Sequence, residues 1–239
     1  MTFFGQVVRW FTTAAHWHGS NGIPRRLSEH LVMCGAAMLT AMVAALPTGI
    51  LLGHVNRLGG LIINLANVGR AIPSFAILVV ATQVVGIGAL PAFCALVALA
   101  VPPMVTNSFI GVREVDDRVR EAARGMGMTG RQVLGRVELP IAVPMVMAGV
   151  RTAAVQVVAT ATIAALVAWG GLGRYIVDGL AQRDFVQVFA GAVLVAGVAV
   201  VTEVALAGLQ RLLSPAGLRH RVCDKNVTFV ATAPVVEAA

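Results

Sequence analysis

The sequence predicts an all-α, polytopic membrane protein with five spanning helices and an amphipathic helix ahead of them. Three features predict this. The chain is 58% hydrophobic and only 12% charged, where a soluble domain is about a quarter charged. Its uncharged runs reach the roughly 20 apolar residues a helix needs to cross a bilayer core. The charges that remain fall mostly between those runs. One such segment is compatible with the buried core of a soluble domain; a succession of them is not.

Residues 1–27 form the first unit. "FFGQVVRWF" sets apolar side chains at Phe3, Phe4, Val7, Val8 and Phe11, which is helical spacing. No basic region followed by a clean apolar run marks a signal peptide. The segment is expected to lie in the membrane interface, a depth that suits Trp10 and Trp17. Spans are expected at about 31–53, 58–85, 91–110, 141–168 and 186–210. Residues 71–112 carry no charge and are long enough for two spans, with a break at "GIGALP" (86–91), where glycines and proline mark a turn. Arg70 precedes Pro73 and sits either inside the second span or at its inner start. Within the last two spans, Arg151 and Glu203 are the charged residues. Residues 214–239 are expected to be a disordered cytoplasmic tail.

The net charge of +7 does not point to nucleic acid, because the basic residues alternate with acids around the spans. Placing the loop 111–140 in the cytoplasm puts its arginines there together with Arg57, Arg211, Arg219, Arg221 and Lys225. It leaves Arg9, Arg25, Arg26, Arg174 and Arg183 outside. The positive-inside rule favours this orientation, with the N-terminus out and the C-terminus in. Cys34 and Cys94 fall in spans and Cys223 in the tail, with no disulfide framework or metal site. His16 and His18 sit near the N-terminal interface and His54 at a span end, and each reads as a surface residue. The single lysine, Lys225, follows no glycine-rich loop, so the chain cannot bind ATP in the P-loop manner. There is no HExxH helix or GxSxG elbow, and an intramembrane enzyme would need more acid than Glu203 alone.

Ionisable groups inside a membrane face a partner or a water-filled path. Arg151 lies about 18 Å beyond Leu139 along a helix, and Glu203 about 12 Å before Arg211. If these spans are antiparallel neighbours, the two groups share a depth. They either pair with each other or each face a polar cavity; both readings stand.

The polar loop has its own pattern. Val112, Val115, Val119, Ala122, Ala123 and Met126 follow helical spacing. Asp116 or Asp117 can cap the helix start, and Gly125 and Gly127 can end it. Thr129 with Gln132 fits a capping box opening a second short helix. Val133, Leu134 and Val137 line its apolar side, and Pro140 stands where the chain returns to the membrane. Ala122, Ala123 and Gly127 leave room for another protein to approach.

These residues resemble the EAA loop of ABC-importer permeases, the inner-membrane components of binding-protein-dependent transport systems. The family pattern is Glu-Ala-Ala, three residues, Gly, nine residues, then Ile/Val-x-Leu-Pro; here Glu121, Ala122, Ala123, Gly127, Val137, Leu139 and Pro140 match it. The stretches "RAIPS" (70–74), "TNSFIGV" (106–112), "AGVRTA" (148–153) and "ATIAALVAWGGLG" (161–173) are similar to the osmoprotectant branch, whose solutes are glycine betaine, carnitine, choline or proline. Where relatives often read Gly-Ala-Gly-Gly-Leu-Gly, this chain has Ala168-Trp169-Gly170-Gly171. The "GGLG" element also occurs in methionine-type permeases. The resemblance implies a type I ABC importer permease fold, like that of the methionine permease, over residues 28–213.

It also implies that the loop is a coupling helix docking on an ATP-hydrolysing subunit through Glu121, Ala122, Ala123, Arg124, Gly127, Met128, Leu139 and Pro140. A translocation path would involve Arg70, Pro73, Asn107, Arg151, Thr160 and Thr162, and an outer gate Trp169, Gly170, Gly171 and Gly173. ATP and Mg would be held by two partner ATPase subunits and no cofactor by this chain. A second permease chain, identical or homologous, and an external solute-binding protein would complete the assembly in a bacterial cytoplasmic membrane.

Quaternary ammonium ligands favour aromatic cages. With one Tyr and three Trp, such a cage is not expected inside the permease, and residues 211–239 are too few for a binding domain. Solute choice is therefore expected in the external protein, docking on loops 86–91 and 169–185. The remaining alternatives are an importer of another small solute such as methionine, an ATP-independent channel or carrier, and an intramembrane enzyme.

Overall fold

The apolar segments are helices in the computed structural model, which describes residues 2–55, 64, 68, 69, 73–167 and 169–214. No strand occurs among the described residues. Arg70, the tail from residue 215, and most of the expected second span before Pro73 lie outside them.

Helix α1, Phe3–Thr12, buries Val7 and Trp10. Phe3 and Phe4 stack edge-on against Phe189, at 5.5 and 6.2 Å between ring centroids, while Phe4 and Val8 keep an exposed apolar side. Trp10 departs from the sequence expectation. Instead of facing lipid headgroups it packs on Tyr175, 5.4 Å between centroids, and on His16. Trp17 remains exposed.

Helix α2, Ile23–Val55, is 33 residues long, or about 50 Å. It starts before the expected span at 31, and within the segment assigned to the interface. Pro24 presets helical φ in the first turn, and Arg25 and Arg26 both reach Glu29, at 3.0 and 2.9 Å. Those pairs let a charged turn extend an apolar helix. Its buried positions include Ala37, Ala41, Ala45, Gly49 and Gly53, one small residue every fourth position. Small residues at this spacing let helix backbones approach closely.

Helix α3, Ser74–Val85, has 12 residues and is too short alone to cross a bilayer core. It ends at Gly86, φ +90°, at the turn the sequence marks. Helix α4, Ala89–Arg113, follows and sits between α2, α3 and the fourth-span helix.

The loop helix α5 is Asp117–Gly125, with Asp116 accepting from the Arg118 N–H. Gly127 turns left-handed at φ +84°. Helix α6, Gly130–Val133, opens with Gln132 accepting from the Thr129 N–H at 2.8 Å. It is not a separate helix, as the sequence suggests. It runs through a π turn, Leu134–Glu138, straight into α7, Leu139–Thr160. Proline cannot donate to its i−4 carbonyl and its ring crowds that carbonyl. Widening the turn just before Pro140 lets the helix continue.

The fourth span also tightens at its far end. Residues Ala161–Val167 wind as a 3₁₀ segment rather than continuing α-helical to 168. Ala161, Ala164 and Val167, three residues apart, are all buried, which suits the three-residue repeat of that helix. Helix α8, Gly173–Gln182, turns through Arg183 in the left-handed region, and Asp184 caps α9, Phe185–Leu213. Among the described residues, four helices are long and apolar enough to cross a membrane: α2, α4, the continuous 130–167 helix and α9.

A Cβ at Gly49 would lie 2.6 Å from the Val105 carbonyl oxygen and 2.8 Å from Ser108 Cβ. Gly49→Val is expected to cost about 1–3 kcal/mol through overpacking, read as a lower melting midpoint of the protein in detergent. Gly35→Ala, where nothing lies within 4 Å, is the control and should leave the midpoint unchanged or raised. Equal midpoints for the two variants would rule out the close α2–α4 contact.

Candidate functional site

Three clusters lie at three depths of the bundle. The first is the loop between α4 and α7. Its apolar pattern splits between two environments: Val112, Val115 and Ala123 are buried, whereas Val119 and Met126 are exposed, Met126 by 76%. Ala122 is also exposed, as are Glu121, Arg124 and Gly127, and Met128 is half-buried. About one turn apart, Val119 and Ala122 on α5 and Met126 just past its end present an apolar stripe to the outside. Ala123 faces its own chain, so it is not free to meet a partner, contrary to the expectation for that alanine. Leu139 and Pro140 are half-buried at the base of α7.

Beneath the loop lies a charge cluster that the sequence reading missed. Glu138 is 1% exposed and Arg120 6%. Arg120 Nε stands 2.9 Å from Glu138 Oε1, an ion pair without the alignment of a good hydrogen bond. His54 Nδ1 is 2.6 Å from Glu138 Oε2, so His54 is a paired residue and not merely a surface one. The available signal was a lone acid at the variable position of Val-x-Leu-Pro, next to an apolar span.

The second cluster is at mid-span. Arg151 Nη2 and Glu203 Oε1 form an ion pair. Arg151 Nη1 also donates to Gln210 Oε1 at 2.6 Å, and Gln210 Nε2 donates to the Pro144 carbonyl at 2.9 Å. Gln210, about two turns nearer the helix end, is a partner that no local sequence pattern marks. Arg151 and Glu203 border a cavity of about 440 Å³ with Ala148, Thr152, Val155 and Gln156. Thr152 and Gln156 are exposed, which within a span needs water or protein beside them. Of the two alternatives weighed for Arg151 and Glu203, the pairing is the one the structure shows; the cavity they border is lined mainly by apolar surface.

Other residues named for the path are engaged elsewhere. Asn107 Nδ2 donates to the Pro103 carbonyl at 2.7 Å, and its Cβ lies 2.7 Å from where a Cβ on Gly149 would stand. It belongs to the α4–α7 contact. Thr162 donates to the Ala159 carbonyl at 2.9 Å. Thr160 is half-buried and Pro73 is exposed ahead of α3.

The third cluster is at the end of the bundle opposite the loop. Glu29 Oε2 accepts from the Gly171 N–H at 2.9 Å. Gly171 has φ +85°, and a Cβ on Gly170 would stand 1.9 Å from that carboxylate oxygen. The positive φ favours glycine at 171, and a side chain at 170 would displace the Glu29 carboxylate. A Cβ on Gly173 would meet the Thr162 carbonyl at 2.2 Å, so the loop closes directly onto the 3₁₀ segment. Trp169 packs on the core, and its Nε1–H finds no acceptor among the described residues. Tyr175 donates its hydroxyl to the Asn21 carbonyl at 2.6 Å. Burial pushes the Tyr175 phenol up, with Arg26 opposing and Glu29 adding to the shift, which keeps it protonated as a donor. No group of His, Cys, Asp and Glu suited to a metal ion occurs among the described residues.

Residues 45–216 match the family of binding-protein-dependent transport system inner membrane components. The chain belongs to that family. It is thus the membrane permease of an ABC importer, an integral inner-membrane protein and not itself an enzyme. The permease is 39% identical over 192 residues to a carnitine transport permease protein of Listeria monocytogenes, covering 80% of this chain and 88% of that one. It is 36% identical to a choline transport system permease protein of Bacillus subtilis, with the same coverage. Its fold matches inward-facing structures of the MetNI methionine ABC transporter, with a TM-score of 0.70 at 24% identity over 81% of this chain and 96% of that one.

The mid-span pair makes a prediction. Arg151→Glu and Glu203→Arg should each lower the yield of folded permease from detergent-solubilised membranes, because each leaves two like charges together inside the span. The reversed double variant should recover most of it. No recovery would show that the two side chains do not act as a pair.

Proposed function

We propose that this permease imports an osmoprotectant such as glycine betaine, choline, carnitine or proline by alternating access driven by ATP hydrolysis in partner subunits. The names of its relatives support the solute class. The observation that carries the mechanism is the shape of α5. It is a short, capped helix that offers Val119, Ala122 and Met126 outward while its other side is locked to the bundle.

In this reading two ATPase subunits, which hold ATP and Mg, grip the loop around Glu121, Ala122, Arg124, Gly127 and Met128. Leu139 and Pro140 carry the motion into α7. The loop is cytoplasmic, the N-terminus is outside, and α1 lies in the outer interface with its exposed phenylalanine and valine side chains in lipid. A second permease chain, identical or homologous, faces the polar side of α7. Between them Arg151, Thr152, Gln156 and Glu203 line the solute path, where exposed polar groups at mid-span would otherwise meet lipid. Trp169, Gly170, Gly171 and Gly173 form the outer closure, near where an external binding protein delivers solute.

The complex reconstituted in liposomes with its ATPase subunits and binding protein tests this. Uptake of radiolabelled choline, carnitine or glycine betaine should require ATP inside, and methionine should not compete. Gly127→Asp, which forces a side chain onto a left-handed position at the docking loop, should reduce solute-stimulated hydrolysis by about tenfold or more, in the range of ordinary coupling energies. Unchanged stimulation defeats the coupling role, and uptake by the permease alone would favour a channel or carrier.

A further inference from the structure

At the inner end of the bundle one guanidinium and one carboxylate, both buried, join four helices. Arg120 directs a different nitrogen to each of three places. Nη2 donates to the Val112 carbonyl at 2.6 Å, in the last turn of α4, where carbonyls have no partner within the helix. Nη1 meets Asp117 Oδ1 in the first turn of α5 at 3.1 Å. Nε meets Glu138 Oε1 at the base of α7 at 2.9 Å. The other Glu138 oxygen holds His54 Nδ1, on the last turn of α2, at 2.6 Å.

Burying these groups is costly, and apolar residues of similar volume often serve stability as well or better. Stability alone is therefore a poor reason for the cluster. What it supplies is direction: the hydrogen bonds to Val112 and Asp117 and between His54 and Glu138 fix orientations, and the Arg120–Glu138 ion pair fixes a spacing, that an apolar cluster leaves free. The rest of α5 adds little to its hold on the bundle. Within the helix only Arg120 and Ala123 are buried. A helix meant to be pushed is thus fastened chiefly by one arginine.

We infer that Arg120, Glu138 and His54 form the joint that passes displacement of α5 to α2, α4 and α7 together. They are positioning residues for coupling hydrolysis to transport. This rests on the coupling role proposed above for α5. The close α2–α4 contact at Gly53, where a Cβ would stand 2.8 Å from the Phe109 carbonyl oxygen, makes those two helices one rigid lever. Glu138, the last residue of the π turn that leads into α7, is brought onto it.

The test uses the complete complex in liposomes and whichever of choline, carnitine or glycine betaine the unmodified complex imports. Two variants are compared: Glu138→Gln, and the triple variant Arg120→Met, Glu138→Leu, His54→Leu, which fills the same space without charge. The readout is ATP hydrolysed per solute imported, together with stimulation of hydrolysis by the loaded binding protein. The triple variant should assemble with both partners, yet consume about tenfold more ATP per solute, again an ordinary coupling energy. Glu138→Gln should shift the same ratio in the same direction. An unchanged ratio in the assembled triple variant overturns the joint, as does failure of that variant to assemble, which would place the cluster in folding. If Gly127→Asp abolishes stimulation while the triple variant keeps its ratio, only the joint fails. If neither alters stimulation, the coupling reading itself fails.

Discussion

Between α2 and α4 there is no room for a side chain at Gly49 or Gly53. In lipid that lack of room is a binding force. Apolar helices surrounded by acyl chains have little hydrophobic reason to associate and are held by close van der Waals contact. The run Ala37, Ala41, Ala45, Gly49, Gly53 keeps one edge of α2 small for most of its length. Helix α4 answers with Ala92, Ala95 and Ala100, and meets α7 at Gly111 and Gly149 by the same device. The placement of the polar groups follows. His54 is the residue after Gly53, so the approach that seats the glycine also carries the imidazole to Glu138.

The charges are then distributed by depth, and at each depth they connect elements distant in sequence. Glu29 joins the start of α2 to the loop at Gly171. Arg151 joins α7 to two residues of α9. Arg120 and Glu138 join the loop to the bundle. None of these is a surface pair between neighbours on one helix, where little stability is at stake. Each sits where an unpartnered charge would be costly, so a displacement at one end of a helix cannot leave the partners of these groups behind.

Much of this was legible in the sequence, and the exceptions have physical causes. Long uncharged runs give spans because lipid tolerates little else, and caps at Asp116 and Thr129 give helix starts because they satisfy orphan amides. The family loop stood out because its charges interrupt the apolar text. The π turn before Pro140 was not legible, since proline announces a disturbance without saying whether the helix stops or widens. Trp10 was misplaced because amphipathic spacing shows that a helix has two sides but not which side meets protein. Glu138 and His54 were missed because pairing across α2 and α7 depends on helix contacts that no local pattern contains. Ala123 looked available because small residues read alike whether they serve a partner or the chain's own core.

The π turn has a further consequence for engineering. It places one additional residue in a helix that otherwise advances about 100° per residue. Everything before it, from Gly130 back through the loop, is phased by that residue relative to the membrane part of α7. Exchanging this loop with that of a relative whose helix lacks the wide turn would turn its exposed side, Val119 and Ala122 included, in another direction, even with every motif residue retained. Chimeric permeases that carry a relative's loop should therefore be joined beyond Pro140, so that the phase travels with the loop.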